Sequence, residues 1–384
     1  MTKDIVRAGS GVRANSIKFA RPIIGPEEIA AVGEALKNPR MTNAGRVVEF
    51  ESQFSEMIGG GAAVAMSSCT SALHAALLCL DIGQDDEVIV PALTFAACAH
   101  VVEAVGAIPV FADCHPEAGQ LDPEAVERCV TKRTKAIMLM HYAGRAGYIG
   151  TMQAVARRHN LRIIEDCATA LGAVHSGKHV GLHGDIGCFS FHPVKHITTG
   201  EGGMLVTRNL EVAARARAFR EFGKWADTDQ PHSYVDYEIR DFGLNFRMTE
   251  MQAAIGLVQL KSAKHRLELR RWNYRKLAAM LDGLEILQLG GDEAAAYCLV
   301  VHMPDMRSQF AVRKALAKRG VETSCYYPGP LPLMPYYAKK YDIMPGSFPS
   351  AERIAHNTIA MSVGPHLSAA DMVFQAEQLK EVLK

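Results

Sequence analysis

Between Ala62 and Asp166 the chain repeats one pattern, a short apolar run followed by a helical one. Strand candidates are Ala62–Met66, Glu87–Val90, Ala107–Ala112, Lys135–Met140 and Leu161–Asp166. Between them lie an alanine-leucine stretch ending at Leu78 and helix candidates at Phe95–Val105, Pro123–Val130 and Met152–His159. Strands alternating with helices at this spacing predict an α/β fold with a mostly parallel, doubly wound sheet. Ligands of such sheets bind beyond the carboxyl ends of the strands, so the chemistry should collect there.

The stretch after this region, Gly187–Thr207, reads GCFSFHPVKHITTGEGGMLVT. Gly187–Phe191 is short, apolar and aromatic, as a strand should be, and Met204–Thr207 reads as a second strand. Pro193, Gly200, Gly202 and Gly203 mark the intervening segment as a loop. It carries Lys195, which is either a solvated ammonium on a turn or a partly desolvated amine able to form a Schiff base with a carbonyl compound. Upstream, the apolar run Leu161–Ile164 ends in Glu165 and Asp166, as a buried parallel strand does when it delivers a carboxylate to the sheet edge. A lysine and an acid so placed match the needs of pyridoxal phosphate (PLP): an amine for the aldehyde and a carboxylate to keep the pyridine nitrogen protonated. The hydroxyl-rich turn Ser67–Ser71 enters a helix and leaves free N–H groups for a phosphate. The same turn also reads as N-capping by Ser68 or Thr70, and one turn can do both.

Composition narrows the function. The 384 residues suffice for a large core and two domains, and a formal net charge of +1 gives no pull toward nucleic acid or anionic membrane. No run of about 18 apolar residues predicts a membrane span. Met1–Ser16 lacks the apolar core of a signal peptide. Nine cysteines without a C-x-x-C pair are expected to be reduced thiols in the cytoplasm.

Residues 1–20 read as an arm, 21–265 as the large α/β domain and 266–384 as a small α+β domain, with the boundary inside a long helix. Helices are expected at Pro26–Leu36 and Val47–Met57, and a polar loop at Ala226–Ser233. The long helix is expected to open within Arg240–Ala254, with Thr249 and Gln252 at capping-box spacing, and to run to about Leu281. Its basic face reads as solvated charge. The C-terminal part has strand candidates at Ala296–His302 and Val321–Tyr326 and helices at Gln309–Arg319 and Ala369–Leu383.

Glu165-Asp166 with Ala168 and Leu171-Gly-Ala173, Phe189-Ser-Phe-His-Pro-Val-Lys195, and Gly200-Glu-Gly-Gly203 resemble the PLP-dependent sugar aminotransferases of the DegT/DnrJ/StrS type, in the fold type I (aspartate aminotransferase-like) superfamily. The resemblance spans Pro22 to the C-terminus. It implies that Lys195 is the Schiff-base lysine and proton shuttle, and that Asp166 binds the pyridine nitrogen. Cys69 and Thr70 correspond to the phosphate turn, joined by the Ser190 hydroxyl. Phe95 matches the aromatic residue stacked on the ring, and Ala168 would pack on the other face. Asn245 matches an asparagine that reaches the phosphate of the partner subunit, which implies a homodimer with active sites at the interface. The implied reaction moves an amino group from an amino acid, glutamate being expected, to a keto-sugar or sugar aldehyde. That sugar would be nucleotide-linked or a precursor of lipopolysaccharide, another polysaccharide or an antibiotic.

Several positions depart from the family pattern. Thr169 stands where His or Gln usually approaches the cofactor's phenol oxygen, and Pro332 and Met334 replace a His and a Gln that face substrate in relatives. A dehydratase branch carries histidine in place of the lysine, so Lys195 favours transamination over dehydration; a cyclitol acceptor and a PLP- or sugar-binding regulator without turnover are the other readings. His192 and Arg247 lie beside the motifs, as substrate contacts or as structural residues. The run His175, His179, His183, His192 and His196 has metal-like spacing, but Gly177, Gly181, Gly184 and Pro193 break any helix, so no metal site is expected.

Overall fold

The computed structural model describes residues 16–225, 237–287, 294–303 and 308–384. Most of the expected arm and the loop Ala226–Ser233 lie outside the described residues.

The strands are β1 (Ala62–Met66), β2 (Glu87–Pro91), β3 (Ile108–Ala112), β4 (Thr134–Met140), β5 (Arg162–Asp166), a minor hairpin β6 (Val174–His175) and β7 (Lys178–His179), β8 (Ile186–Ser190) and β9 (Gly203–Thr207). All but the minor hairpin join one seven-stranded sheet in the order β1-β9-β8-β5-β4-β2-β3. Its ladders are parallel except those made by β9, which runs antiparallel to both β8 and β1. The reversal of β9 decides where the lysine goes. Ser190 pairs with Gly203, so the 191–202 loop leaves and re-enters the sheet at its carboxyl edge.

Side chains alternate between the two faces, as strand geometry requires. Ile137, Leu139 and Ile163 pack with Phe50, Phe54 and Met152 on one face. Ala136, Met138 and Ile164 pack with Leu73, Leu77, Val101 and Val102 on the other. Both faces are covered, which is why the strands read as continuous apolar runs rather than alternating ones.

The long helix runs Glu250–Met280, and Thr249 and Gln252 form the expected capping box. It starts late within the Arg240–Ala254 segment, because the first part of that segment is held extended. Leu244 N–H donates to the Phe219 carbonyl at 2.8 Å and Phe246 N–H to that of Arg220 at 2.9 Å. The first half of the helix joins the large core through Ala253 and Ala263. Its second half contributes Tyr274 and Leu277 to a separate cluster with Val312, Leu316, Met372 and Leu379. The expected strand Val321–Tyr326 does not form. Val321 and Ser324 make only isolated bridges, Val321 to Ile17 and Ser324 to Ala360, on the strand Thr358–Met361 that also pairs with Leu299–His302.

Candidate active site

The carboxyl edge gathers the ends of β1, β5 and β8 and the start of β9. β1 turns at Ser67–Ser68 into the helix Cys69–Cys79, whose N-cap Ser68 accepts the Ser71 N–H at 3.0 Å. The first intrahelical bond is Ala72 N–H to Ser68 O, so the Cys69 and Thr70 N–H groups point ahead of the helix. The capping reading therefore holds, and the turn leaves two N–H groups without an intrahelical acceptor. Gly203 lies against it. A Cβ there would stand 2.3 Å from the Ser68 carbonyl carbon and 2.5 Å from the Cys69 nitrogen, so only glycine lets β9 begin this close to the turn.

Asp166 ends β5, pairs with Cys188 on β8 and is buried. Its Oδ1 accepts the Ala168 N–H at 2.9 Å and its Oδ2 accepts the Cys98 thiol at 3.1 Å. Glu165 points the opposite way, as the strand period requires. It accepts His141 Nε2 at 2.9 Å, the N–H groups of Gly181 and His183 at 2.8 Å each, and that of Gly184 at 2.6 Å. Burial alone would raise the Glu165 carboxyl, but these donors outweigh it and hold the pKa at about 2. The two adjacent acids thus divide the work: Glu165 locks the 181–184 turn, and Asp166 faces the site.

Lys195 is half-buried in its loop, with Nζ 5.4 Å from the centre of the Tyr297 ring. The neighbouring His196 is buried, and its Nε2 donates to the Ala295 carbonyl at 3.1 Å, which anchors the loop from below. Cys69 lies within electrostatic reach of both Asp166 and Lys195, so the turn, the acid and the amine stand near one another at the carboxyl edge. Phe95 is 61% exposed, with Tyr327 at 6.4 Å between ring centres, and presents an open face at the carboxyl end of β2.

Ala168 is half-buried, and the buried Thr169 donates its hydroxyl to the His141 carbonyl at 3.0 Å. Ser190 ends β8 beside the turn, its hydroxyl 3.4 Å from the His192 N–H. His192 is exposed, 3.9 Å from Glu201. Asn245 is exposed on the extended segment before the long helix, and Arg247 sits 3.7 Å from Glu221 and over the Phe222 ring. Pro332 is buried and Met334 packs against the core, so no imidazole or amide stands at those two positions.

His179, within the histidine run, serves structure. His179 accepts the Gly172 N–H on Nε2 at 2.7 Å and donates from Nδ1 to the Val180 carbonyl. His141, Glu165 and Cys167 bring ligand atoms within 4.8 Å of one another, but four donors already occupy the carboxylate. Sequence reasoning missed Tyr297, Thr94 and Cys98 at the site. No local pattern marks them: Tyr297 meets Lys195 and Cys98 meets Asp166 across long stretches of chain, and Thr94 enters only through Cys98.

A buried carboxylate, a lysine on the opposing loop, a helix N-terminus cradled by a glycine and an open aromatic face fit PLP. Together with the sheet they define a fold type I PLP-dependent aminotransferase. The model of the DegT/DnrJ/EryC1/StrS aminotransferase family matches residues 22–378, and the chain belongs to that family. Uncharacterized protein MJ1066 of Methanocaldococcus jannaschii is 35% identical over 97% of this chain and 99% of its own. Among solved structures, the PMP form of a Streptococcus pneumoniae protein assigned as a sugar aminotransferase superposes with a TM-score of 0.91 at 26% identity, over 96% of this chain and 99% of that one. PseC of Helicobacter pylori, an aminotransferase of pseudoaminic acid biosynthesis, superposes with a TM-score of 0.89 at 27% identity over the same shares. The cofactor is pyridoxal phosphate.

Proposed function

We infer that the enzyme transfers an amino group from L-glutamate to the carbonyl carbon of a keto-sugar or sugar aldehyde, nucleotide-linked or destined for a polysaccharide or antibiotic sugar. The observation that carries the reading is the convergence of Lys195, Asp166 and the Cys69–Thr70 turn at one sheet edge. Family membership and the likeness to PseC support a sugar acceptor.

PLP, when bound, supplies an electron sink at the reacting carbon. The chain's own residues do the rest. Asp166 accepts the pyridine N–H in a buried setting where that hydrogen bond is little screened. The Cys69 and Thr70 N–H groups, with the Thr70 and Ser190 hydroxyls, hold the phosphate. Phe95 covers one ring face and Ala168 the other. Thr169 stands near the phenol oxygen with its own proton already donated to His141. Lys195 Nζ would anchor the cofactor and, once released from it, would carry the proton that the transfer moves. The exposed Asn245 reaches the partner subunit's phosphate in a homodimer, and His192 and Arg247 flank the acceptor. The separate core around Leu277 supports a small domain from residue 266, with the large domain over 21–265 and the arm over 1–20. The free thiols of all nine cysteines support a cytoplasmic location.

The test is an absorption spectrum of the purified protein with and without glutamate, followed by product analysis with candidate sugars. The expected result is a visible band lost on adding glutamate, with 2-oxoglutarate released, and sugar conversion that consumes donor stoichiometrically. A band that no amino acid changes, or conversion without a donor, overturns the reading in favour of a regulator or a dehydratase.

A further inference from the structure

Asp166 is held from both oxygens, and one of its partners is an unusual one. Oδ1 takes a backbone N–H, that of Ala168, at 2.9 Å. Oδ2 takes the thiol of Cys98 at 3.1 Å. Cys98 is fully buried near the start of the helix Ala97–Ala104. Thr94, also buried, donates its hydroxyl to Cys98 Sγ at 3.1 Å. Hydrogen-bond chemistry fixes the direction of this chain: an ionised carboxylate only accepts, so the thiol donates to it and takes the Thr94 proton on a sulfur lone pair. Burial first, and the neighbouring Asp166 charge second, push the Cys98 thiol well above its ordinary range, so it keeps the proton it donates. Cys69, Cys167 and Cys188 also lie within electrostatic reach of Asp166. Among the described residues, only Cys98 of these four hydrogen-bonds to it.

We propose that Cys98 is a positioning residue: its thiol fixes the rotation of the Asp166 carboxylate toward the pyridine nitrogen, and Thr94 orients the thiol. The inference rests on the reading of Asp166 as the nitrogen's partner. Two donors on opposite oxygens hold the plane of the carboxylate, whereas one would leave it free to turn about its terminal torsion, which is soft. A thiol is a weak donor, so it holds the group while leaving most of its charge for the pyridinium.

The experiment compares Cys98→Ala, Cys98→Val, Cys98→Ser, Thr94→Val and Asp166→Asn by PLP affinity of the stripped and reloaded enzyme, and by the pH midpoint of the bound cofactor's visible band. A lost hydrogen bond to a charged group corresponds to about tenfold in affinity. Cys98→Ala and Cys98→Val should both weaken PLP by about tenfold. They should also raise the midpoint by about one pH unit, because a pyridine nitrogen without its partner loses its proton and no longer withdraws electrons from the lysine nitrogen. Cys98→Ser, which keeps a donor, should stay close to the parent on both readouts, and Thr94→Val should move them the same way by less. A purely packing role predicts instead that Cys98→Ser is the damaging change and that the midpoint stays put in every variant, which overturns the proposal. If Asp166→Asn itself leaves affinity and midpoint unchanged, the reading of Asp166 fails and takes this one with it. If Asp166→Asn moves both and Cys98→Ala moves neither, the role of Cys98 alone is overturned.

Discussion

His141 Nε2 and Glu165 Oε2 meet at 2.9 Å, both side chains fully buried, one residue before the acid that faces the active site. This contact and the three backbone N–H groups on Glu165 tie the end of β5 to the turn that precedes β8. Glu165→Ala leaves those donors without an acceptor in the interior, and should cost on the order of 3–5 kcal/mol, read from urea unfolding. The carboxyl is held at about 2 against an ordinary 4.5. Its contribution is therefore fully present above pH 4.5 and is lost as pH falls toward 2.

A second pH dependence lies higher. Burial lowers His179 from 6.5 to about 4, against the pull of its Val180 hydrogen bond. Between these values the unfolded chain binds a proton that the folded chain refuses, so stability is full above pH 6.5 and declines on acidification. The loss should approach about 3 kcal/mol by pH 4. Burial pushes His196 in the same direction. Urea midpoints between pH 7.5 and 4.5 check this, and His179→Asn should flatten the slope whatever its effect at neutral pH.

Gly203→Ala should leave the sheet formed but displace the phosphate turn, because the new methyl would meet the Ser68 carbonyl and the Cys69 nitrogen. Misplacement on the scale of an ångström weakens a preorganised site by roughly 10–100-fold. The expected outcome is a loss of PLP affinity of that order in an equilibrium titration, together with a lowered unfolding midpoint, because the methyl meets backbone atoms that must shift.

Lys195→Ala should abolish the visible cofactor band and lower transamination with glutamate by roughly 10²–10⁴-fold or more, since anchor and proton carrier are lost together. The loop should persist, because His196 and Thr198 hold it: His196 Nε2 on the Ala295 carbonyl and the Thr198 hydroxyl on the Phe191 carbonyl. Turnover equal to that of the parent would sink the assignment of Lys195.

Much of this was legible in the chain. The apolar runs from Ala62 to Asp166 and the helices between them lie where the pattern placed them, apart from shifts of a few residues at their ends. They are legible because buried parallel strands and amphipathic helices carry periodic signals within a dozen residues. Helices Pro26–Leu36 and Ala369–Leu383 have the bounds expected of them. Val321–Tyr326 misled because a β-branched, aromatic run states only a preference, and the segment makes single bridges rather than a ladder. The helices Pro335–Tyr341 and Pro349–Asn357 went unread.

The sequence by itself determined the strands, the glycine turns and the residue types that chemistry on a carbonyl needs. Only the tertiary structure decided how they meet. The antiparallel return of β9 puts Lys195 over the carboxyl edge, the approach of Gly203 shapes the phosphate turn, and the Thr94–Cys98–Asp166 chain orients the acid. The reason is physical. Periodicity reports burial within one element, whereas these arrangements bring together segments far apart in sequence, and their geometry exists only once the sheet has closed.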